Sequence, residues 1–312
     1  MKYNTSKGVS ISALSLGTVQ LGVNYGINNA EGKPDQAHAF KVLDAALENG
    51  INALDTAAAY GDSERVIGEW LKTVAPEKHP FITTKLKQLN HSSLDALRKS
   101  VNEQLEHSMQ SLGLSCIPCL MLHSFEEYDC DRENMRLVFD ELKKAGKIRF
   151  SGISAYTHHD YRVIAESGFD AVQIPCNIFD WRQIDNGGIE ALRQSGMMIF
   201  VRSVYLQGLV FQKPEQLDPR MDFAKDTLVK FRALCEKYSL APAELALSFA
   251  LSLPGVTSLV LGSEKPEQVE QNAALLSHTA SFTSEQMDEI HTMFKDTSAR
   301  LLNPATWFNA QK

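Results

Sequence analysis

The chain has 312 residues, of which 44% are hydrophobic and 22% are charged, and its formal net charge is −7. The hydrophobic share is large enough to fill a substantial core, and the charged share is ordinary for a globular protein. A negative net charge provides no basic surface for nucleic acid and no attraction to anionic membranes. The composition therefore argues against both as partners.

The first eight residues are polar and lack the apolar core of an export signal. No apolar run in the chain reaches the length of a membrane span. Five cysteines, an odd number in a long chain, are typical of reduced thiols rather than of a disulfide framework. We therefore expect a cytoplasmic protein, and a monomer is the default expectation.

The predicted elements begin with a small hairpin over Tyr3–Ile11, where residues alternate around Gly8. After it, short apolar runs alternate with longer amphipathic stretches. Runs that are rich in Ile, Leu and Val predict strands that are buried on both faces. The eight predicted strands are Leu14–Val19, Ile51–Leu54, Phe81–Leu86, Ile117–Leu122, Ile148–Ser154, Ala171–Pro175, Met198–Val204 and Ser258–Leu261.

The stretches between these strands have helical periodicity. Apolar residues recur at helical spacing from residue 39 to residue 47, and Gly50 stands where a helix would end. Ser92–Leu112 carries one apolar stripe, and Pro266 stands at the first position of a helix after the last strand. An additional helix is predicted over Thr283–Phe294, where Thr283 and Gln286 have the spacing of a capping box. The apolar tail after it is expected to pack on the domain.

Eight strands that are each followed by a helix are the pattern of a (β/α)8 TIM barrel. We predict one barrel domain over residues 1–312, with an N-terminal hairpin and an extra C-terminal helix and tail. An open doubly wound sheet is the alternative, but the chain has no Gly-rich dinucleotide fingerprint. In a barrel, catalytic groups collect at the C-terminal ends of the strands.

Four chemically active side chains stand at the ends of three consecutive predicted strands: Asp55 and Tyr60, then Lys85, then His123. Taken singly, each has an ordinary structural interpretation, such as a turn cap or a solvated loop residue. Taken together, they form a coherent acid catalyst. An ammonium beside a phenol lowers the phenol pKa, a carboxylate can neutralise a buried lysine, and an imidazole can orient a carbonyl oxygen. We predict that Tyr60 protonates a carbonyl.

The stretch LDTAAAYGDSE, residues 54–64, resembles the signature that surrounds the aspartate and tyrosine of aldo-keto reductases. The pairs Thr84-Lys85 and Leu122-His123 resemble the strand ends that carry the lysine and histidine of that family. Residues 146–154 and 172–177 are similar to its fifth and sixth strands. The resemblance is to a bacterial-type member with short loops, and it implies a carbonyl reductase or alcohol dehydrogenase. It also implies a catalytic tetrad of Asp55, Tyr60, Lys85 and His123.

The segment LGSEKPEQVEQN, residues 261–272, follows the last strand and opens a helix, where free backbone amides attract a phosphate. An ordinary capped surface helix is the alternative. Lys265 offers a positive partner for a 2′-phosphate, so NADP is predicted over NAD, although Glu264 and Glu267 flank this lysine. The segment resembles the family's adenosine-phosphate clamp, which implies contacts from Gly262, Ser263, Lys265, Gln268, Gln271 and Asn272.

The same resemblance implies contacts near the nicotinamide and the pyrophosphate. Ala155 stands where the family usually has asparagine, so one expected hydrogen bond is missing. Arg202 is interpreted as a contact to the cofactor or to the substrate. The predicted cofactor contacts in this part of the chain are Thr18, Ser154, Gln173, Arg202, Ser203 and Leu206.

The substrate is predicted to be a small carbonyl compound. The segment after the fourth strand is short, which favours an open pocket and polar substrates such as sugars or small aldehydes. No metal is required for hydride transfer. Cys116 and Cys119 have the spacing of a redox or metal pair, but a single pair at a buried strand is interpreted as structural. The predicted substrate contacts are Asn24, Tyr25, Trp181 and Trp307, and packing on the domain is the alternative for the two tryptophans.

Two other functions remain open from the sequence. One is a cofactor-binding regulatory subunit, like the aldo-keto reductase-fold subunits that accompany potassium channels. The other is an aldolase that forms a Schiff base through Lys85.

Overall fold

The computed structural model describes residues 1–24 and 32–308. Eight parallel strands close into a barrel in the order β10-β3-β4-β5-β6-β7-β8-β9, and β1 and β2 form a separate antiparallel pair. This confirms the predicted (β/α)8 barrel with its N-terminal hairpin. The strands are β1 (Tyr3–Ser6), β2 (Val9–Ser12), β3 (Leu14–Gly17), β4 (Ala53–Asp55), β5 (Phe81–Leu86), β6 (Ile117–Leu122), β7 (Ile148–Ser154), β8 (Ala171–Pro175), β9 (Met198–Arg202) and β10 (Val256–Gly262).

Helices surround the barrel, and in the described part of the chain none is long and apolar enough to span a membrane. The α-helices are α1 (Val19–Gly22), α2 (Gln36–Glu48), α3 (Ser63–Leu71), α4 (Leu94–Leu112), α5 (Glu126–Asp129), α6 (Arg132–Lys144), α7 (Tyr161–Ala165), α8 (Arg182–Asp185), α9 (Gly188–Gln194), α10 (Lys225–Tyr238), α11 (Pro242–Ser252), α12 (Pro266–Leu275), α13 (Ser284–Phe294) and α14 (Ala299–Leu302). Short 3₁₀ helices lie at Pro76–Lys78, Leu206–Phe211, Pro214–Gln216, Pro219–Ala224, Leu276–His278 and Pro304–Thr306.

The helices begin and end at the residues where the sequence signals predicted it. The hydroxyl of Thr283 accepts from the backbone N–H of Gln286, and the side chain of Gln286 accepts from the backbone N–H of Thr283. Gly50, one residue after the C-cap of α2, has a φ of 77°, a conformation that glycine adopts without steric cost. Pro266 is the first residue of α12, where a missing N–H is tolerated.

Two predicted strands end earlier than expected, both at the end of the barrel that carries the site. The strand predicted to reach Val19 ends at Gly17, because residues 19–22 turn into α1. The strand predicted to reach Val204 ends at Arg202, because Ser203 has a φ of 63°, which lies outside the strand region.

The β1–β2 hairpin closes the N-terminal end of the barrel. Asn4 Nδ2 donates to the carbonyl of Thr257 at the start of β10, and Asn52 Nδ2 donates to the carbonyl of Ser10, both at 2.9 Å. Ile11 belongs to the apolar cluster of the barrel interior. The opposite end of the barrel is left for the functional site.

The barrel interior and the space between strands and helices form two separate apolar cores. In the interior, the rings of Phe81, Phe150 and Phe200 pack with centroids 6.0 and 6.4 Å from that of Phe81. Cys119 lies in the same cluster, and burial raises the pKa of its thiol to about 12. A thiol this weakly acidic is unreactive near neutral pH, which agrees with a structural role.

Candidate active site

Asp55 and Lys85 form a buried ion pair at the C-terminal ends of β4 and β5. Lys85 Nζ donates to Asp55 Oδ1 at 2.6 Å and to the carbonyl of Thr56 at 2.9 Å. Gln173 Nε2, from β8, donates to the same Oδ1 at 2.6 Å. Burial by itself lowers the pKa of Lys85, but Asp55 and the phenol of Tyr60 raise it, and the pKa lies above its usual value. Lys85 is therefore an ammonium held in place by a carboxylate.

Tyr60 follows β4 in a turn and stands beside this ion pair. Lys85 Nζ lies 5.2 Å from the centroid of the Tyr60 ring. Burial raises the pKa of the phenol and outweighs the lowering effect of Lys85, so the pKa lies above its usual value. This corrects the expectation of a net lowering: the ammonium does act in the expected direction, but desolvation is the larger effect. The phenol is protonated at neutral pH.

His123 completes the group. Its ring meets the ring of Tyr60 nearly perpendicularly, at 81°, with the centroids 5.7 Å apart. Burial, and then the charge of Lys85, lower the pKa of the imidazole to about 4. At neutral pH the imidazole is therefore uncharged and has no extra proton to give.

A cavity of about 570 Å³ opens at this end of the barrel, within the size range of ligand sites. Lys85 is fully buried and does not line it, although it contacts Asp55, which does. The predicted site residues that line the cavity are Thr18, Asp55, Tyr60, His123, Ser154, Gln173, Arg202, Ser203, Leu206, Gly262, Gln268, Gln271 and Asn272.

Other predicted contacts lie outside the lining. Ser263 is buried, and its hydroxyl lies 3.5 Å from Asn272 Nδ2. Lys265 is the N-cap residue of α12 and is absent from the lining. The side-chain oxygen of Asn24 accepts from the backbone N–H of Lys33 at 2.6 Å, and Asn24 is not among the described lining residues. Tyr25 lies outside the described residues.

Trp181 and Trp307 do not line the cavity, contrary to the prediction that they contact substrate. The ring of Trp181 packs against Phe249 with centroids 5.3 Å apart, and its indole N–H donates to the carbonyl of Ile178. Trp307 is 1% exposed, and its indole N–H donates to the carbonyl of Leu301 at 3.0 Å. Each ring fills the outer core and each N–H is already satisfied, so the structure gives both residues a packing role.

Several lining residues were not predicted. The most informative is Gln20 in α1, which is 9% exposed and whose Oε1 has no hydrogen-bond partner among the described residues. A Cβ at Gly262 would collide with the Gln20 carboxamide, so the absence of a side chain at Gly262 keeps this part of the cavity open. Gln20 stands three residues after the end of β3, and a wider search beyond the predicted strand ends would have found it. The other unpredicted polar or aromatic lining residues are Tyr156, Tyr205, Gln207, Phe211 and Glu264.

Arg202 places a positive charge in the cavity at the end of β9. Its Nη2 donates to the carbonyl of Ala155 at 3.2 Å, and its guanidinium lies 4.7 Å from the centroid of the Tyr156 ring. The loop after it contains left-handed φ values of 63° at Ser203, 45° at Leu206 and 53° at Gln207. Such conformations are unfavourable for residues other than glycine and concentrate at functional sites.

A second group of polar side chains, Glu126, His158 and His159, has potential metal-ligand atoms within 4.8 Å of one another. His159 Nδ1 accepts from the backbone N–H of Tyr156 at 3.0 Å, so its proton is on Nε2, which donates to Glu126 Oε1 at 2.9 Å. A metal on Nε2 would shift that proton to Nδ1, where it would face the Tyr156 N–H. The group is a hydrogen-bonded cluster, and we assign no metal to it.

Comparison with known proteins identifies relatives of this chain. A model of the Aldo/keto reductase family matches residues 13–294. An NADH-specific methylglyoxal reductase from Escherichia coli is 26% identical over 306 residues, which cover 86% of this chain and 91% of that protein. A putative voltage-gated potassium channel subunit beta from Schizosaccharomyces pombe is 26% identical over 93% of this chain and 92% of that protein.

A solved structure shares the fold. The holo form of an aldo-keto reductase from Bacillus halodurans superposes with a TM-score of 0.75 at 23% sequence identity, covering 97% of this chain and 100% of that one. The family model extends from the residue before β3 to the last residue of α13, and therefore spans the whole barrel. The chain belongs to the aldo-keto reductase family of oxidoreductases.

Proposed function

We propose that this protein reduces an aldehyde or ketone to an alcohol by hydride transfer from a nicotinamide dinucleotide, with Tyr60 as the proton donor. The family uses nicotinamide cofactors and acts on small carbonyl or sugar substrates. The observation that supports the proposal most directly is the phenol of Tyr60 in the cavity, with Lys85 Nζ 5.2 Å from its ring centroid and the centroid of the His123 ring 5.7 Å away.

The cavity offers donors and space that suit such a cofactor. Gln173 and Ser154 line the part near Tyr60, and the first turn of α12 lines another part, where the helix dipole favours a phosphate. The Oε1 of Gln20, which has no partner in the described part of the chain, can accept from a ligand N–H or O–H, which would remove the cost of a buried polar atom without a partner. When bound, the cofactor supplies the hydride, and the protein supplies position and a proton.

Each catalytic side chain has a defined part in the proton transfer. Because its pKa is raised, Tyr60 keeps its proton on Oη until a substrate oxygen gains negative charge. The Lys85 ammonium, held by Asp55, stabilises the phenolate that remains. The neutral imidazole of His123 can donate an N–H to the carbonyl oxygen and so orient it. In the reverse direction the phenolate accepts the proton from the alcohol.

We also propose that the whole chain forms one barrel domain and that the enzyme is cytoplasmic. The five cysteines are all free thiols, as is usual in a reducing compartment. Polar substrates such as sugars or small aldehydes remain the proposed class.

The Schiff-base alternative is disfavoured by the state of Lys85. A lysine nucleophile has to be neutral, whereas Asp55 and Tyr60 hold the pKa of Lys85 above its usual value.

Catalytic turnover distinguishes the regulatory alternative from the proposed enzyme, because a regulatory subunit and an enzyme can both bind the cofactor. Among the relatives, one is named as a channel subunit and one as a reductase, so family membership alone does not choose between them.

The deciding experiment is the substitution Tyr60→Phe, with cofactor affinity and turnover measured on a panel of aldehydes and sugars. We expect kcat to fall by roughly 10²–10⁴-fold, the usual value of a positioned acid, while cofactor affinity stays within twofold. Tyr238→Phe, which removes a hydroxyl bonded to Glu289 outside the cavity, is the control and should keep the parent rate. Parent turnover in Tyr60→Phe would refute the acid assignment. Cofactor binding by the parent with no turnover on any substrate would favour the regulatory role.

A further inference from the structure

We propose that the carbonyl substrate carries an anionic group, a carboxylate or a phosphate, and that Arg202 binds this group. The inference rests on the proposed function above, because it concerns the substrate of the same site. A guanidinium is permanently charged, and it pairs with the oxygen atoms of carboxylates and phosphates through parallel N–H donors. An arginine that lines a cavity without an acidic partner therefore indicates an anionic ligand.

Arg202 provides the positive charge of the cavity. It is the one lysine or arginine among the described lining residues. Lys85 does not line the cavity, and its charge is balanced by Asp55 at 2.6 Å. His123 does line it, but its lowered pKa leaves the imidazole uncharged at neutral pH. Around Tyr60 and His123, Arg202 is therefore the charge that no described residue balances.

The contacts of the Arg202 side chain are all to neutral groups. Nη2 donates to the carbonyl of Ala155 at 3.2 Å, and Nη1 donates to the hydroxyl of Ser203 at 3.4 Å. The guanidinium also lies 4.7 Å from the centroid of the Tyr156 ring. No carboxylate of the described residues forms an ion pair with Arg202. A guanidinium has more N–H donors than these contacts use, so donors remain for a ligand.

A short series of contacts leads from Arg202 to the catalytic carboxylate. The carbonyl of Ala155 accepts from the guanidinium, and the N–H of Ala155 donates to the carbonyl of Gln173 at 2.9 Å. Gln173 Nε2 donates in turn to Asp55 Oδ1, beside Tyr60, at 2.6 Å. The ends of three neighbouring strands, β7, β8 and β9, therefore hold the guanidinium close to the catalytic group.

The position of Arg202 suits the far end of a small substrate. Tyr60, His123 and Arg202 line the same cavity, and the charge of Arg202 lowers the pKa of both rings. A substrate whose carbonyl oxygen meets the Tyr60 hydroxyl therefore has Arg202 within reach of its other end. An anionic group at that end forms the ion pair that the described residues do not supply. Such a pair is stronger in a half-buried site than in water.

The phosphates of a nicotinamide dinucleotide are the other anions that the proposed function brings into this cavity. The first turn of α12 lines another part of the cavity, where the helix dipole favours a phosphate. The guanidinium of Arg202 is turned from β9 toward β7, whereas α12 follows β10, on the other side of β9. This separation assigns the helix end to the cofactor and Arg202 to the substrate.

The test is steady-state kinetics of the full-length protein on two pairs of aldehydes that differ in one anionic group. Succinic semialdehyde and its neutral methyl ester form the carboxylate pair, and glyceraldehyde 3-phosphate and glyceraldehyde form the phosphate pair. We expect kcat/KM to be at least about tenfold higher for the anionic member of one pair, the usual value of a charge-assisted hydrogen bond. The pair that shows the preference identifies the anionic group.

Arg202→Gln should lower this anionic-to-neutral ratio by at least about tenfold, mainly through KM of the anionic member, and Arg202→Lys should keep part of the ratio because it keeps the charge. Arg149→Gln is the matched control. It also removes an arginine that lies over an aromatic ring, 5.0 Å from the centroid of Phe150, but it lies outside the described lining. It should keep the parent ratio. Fluorescence titration with NADH and NADPH measures cofactor affinity in each variant.

The outcomes separate this inference from the proposed function. Turnover without a preference for either anionic member would overturn the inference and leave carbonyl reduction untouched. The parent ratio in Arg202→Gln would overturn the role of Arg202. An equal loss of kcat/KM on all four aldehydes, together with weaker cofactor binding, would assign Arg202 to a cofactor phosphate and overturn the inference as well. Turnover of none of the four would count against the proposed function and this inference together.

Discussion

Asp55 accepts two hydrogen bonds at one oxygen atom, from Lys85 Nζ and from Gln173 Nε2. Through these contacts one carboxylate joins β4, β5 and β8 at the point where Tyr60 enters the cavity. The same environment has different effects on the pKa values of neighbouring groups. Desolvation favours the neutral form of both Tyr60 and His123, whereas the adjacent carboxylate keeps Lys85 charged. The proposed division of roles between proton donor and orienting group follows from this difference.

The lowered pKa of His123 predicts a pH dependence of stability. The folded-state pKa is about 4 and the unfolded value is about 6.5, so the unfolded chain binds more protons between these values. Stability is therefore complete above pH 6.5 and is lost as the pH falls toward 4. In His123→Asn, the loss of unfolding free energy between pH 7 and pH 5 should shrink by about 2 kcal/mol, measured by urea unfolding at both pH values.

The control for this experiment is His107→Asn, which changes an exposed histidine on α4. It should leave the difference between the two pH values unchanged. An identical pH dependence in His123→Asn and the parent would show that His123 titrates normally in the folded protein.

At the scale of elements, the helix ends divide into those with glycine and those without. Gly50 takes a positive φ where the sequence predicted that a helix stops, and Gly146 takes one directly after the C-cap of α6. Ser239, the C-cap of α10, takes the same left-handed conformation with a φ of 54° and a ψ of 41°. A residue with a Cβ adopts this conformation at a cost that glycine does not have.

Ser239→Gly should therefore raise the free energy of unfolding by about 0.5–1 kcal/mol, measured as a shift in the thermal or urea midpoint. Ser195→Gly is the matched control, since Ser195 is the C-cap of α9 with a φ of −71°. There the substitution brings no relief of strain and should lower stability, because glycine adds entropy to the unfolded chain. A stabilising effect at both positions would contradict the conformational argument.

At the scale of the whole molecule, the two ends of the barrel are built for different purposes. The hairpin and the phenylalanine cluster close the N-terminal end, and the polar side chains and the cavity occupy the other. The C-terminal tail belongs to neither end. Leu301 and Trp307 join the outer core, so the tail stabilises the barrel from the side.

Removal of the Trp307 ring tests this role. Trp307→Ala should lower the free energy of unfolding by about 3 kcal/mol or more, the usual cost of deleting a buried tryptophan. Affinity for the cofactor should stay within twofold, because the ring does not line the cavity. A large loss of cofactor affinity with little loss of stability would show that Trp307 belongs to the binding site.

The sequence by itself determined the barrel and the side chains that gather at one end of it. Strands β5, β6, β7 and β8 have the predicted bounds, because a strand buried on both faces has to be an apolar run. Asp55, Tyr60, Lys85 and His123 come together because neighbouring parallel strands end on the same side.

Only the tertiary structure decided which of these side chains meet the cavity and in what protonation state. The net rise of the Tyr60 pKa depends on the extent of burial, which no local pattern records. The placement of Trp181 in the core, and of Glu264 rather than Lys265 in the lining, depends on the direction in which each side chain leaves the backbone. Such directions are set by packing between distant segments, so a sequence motif can indicate the neighbourhood of a site but not its lining.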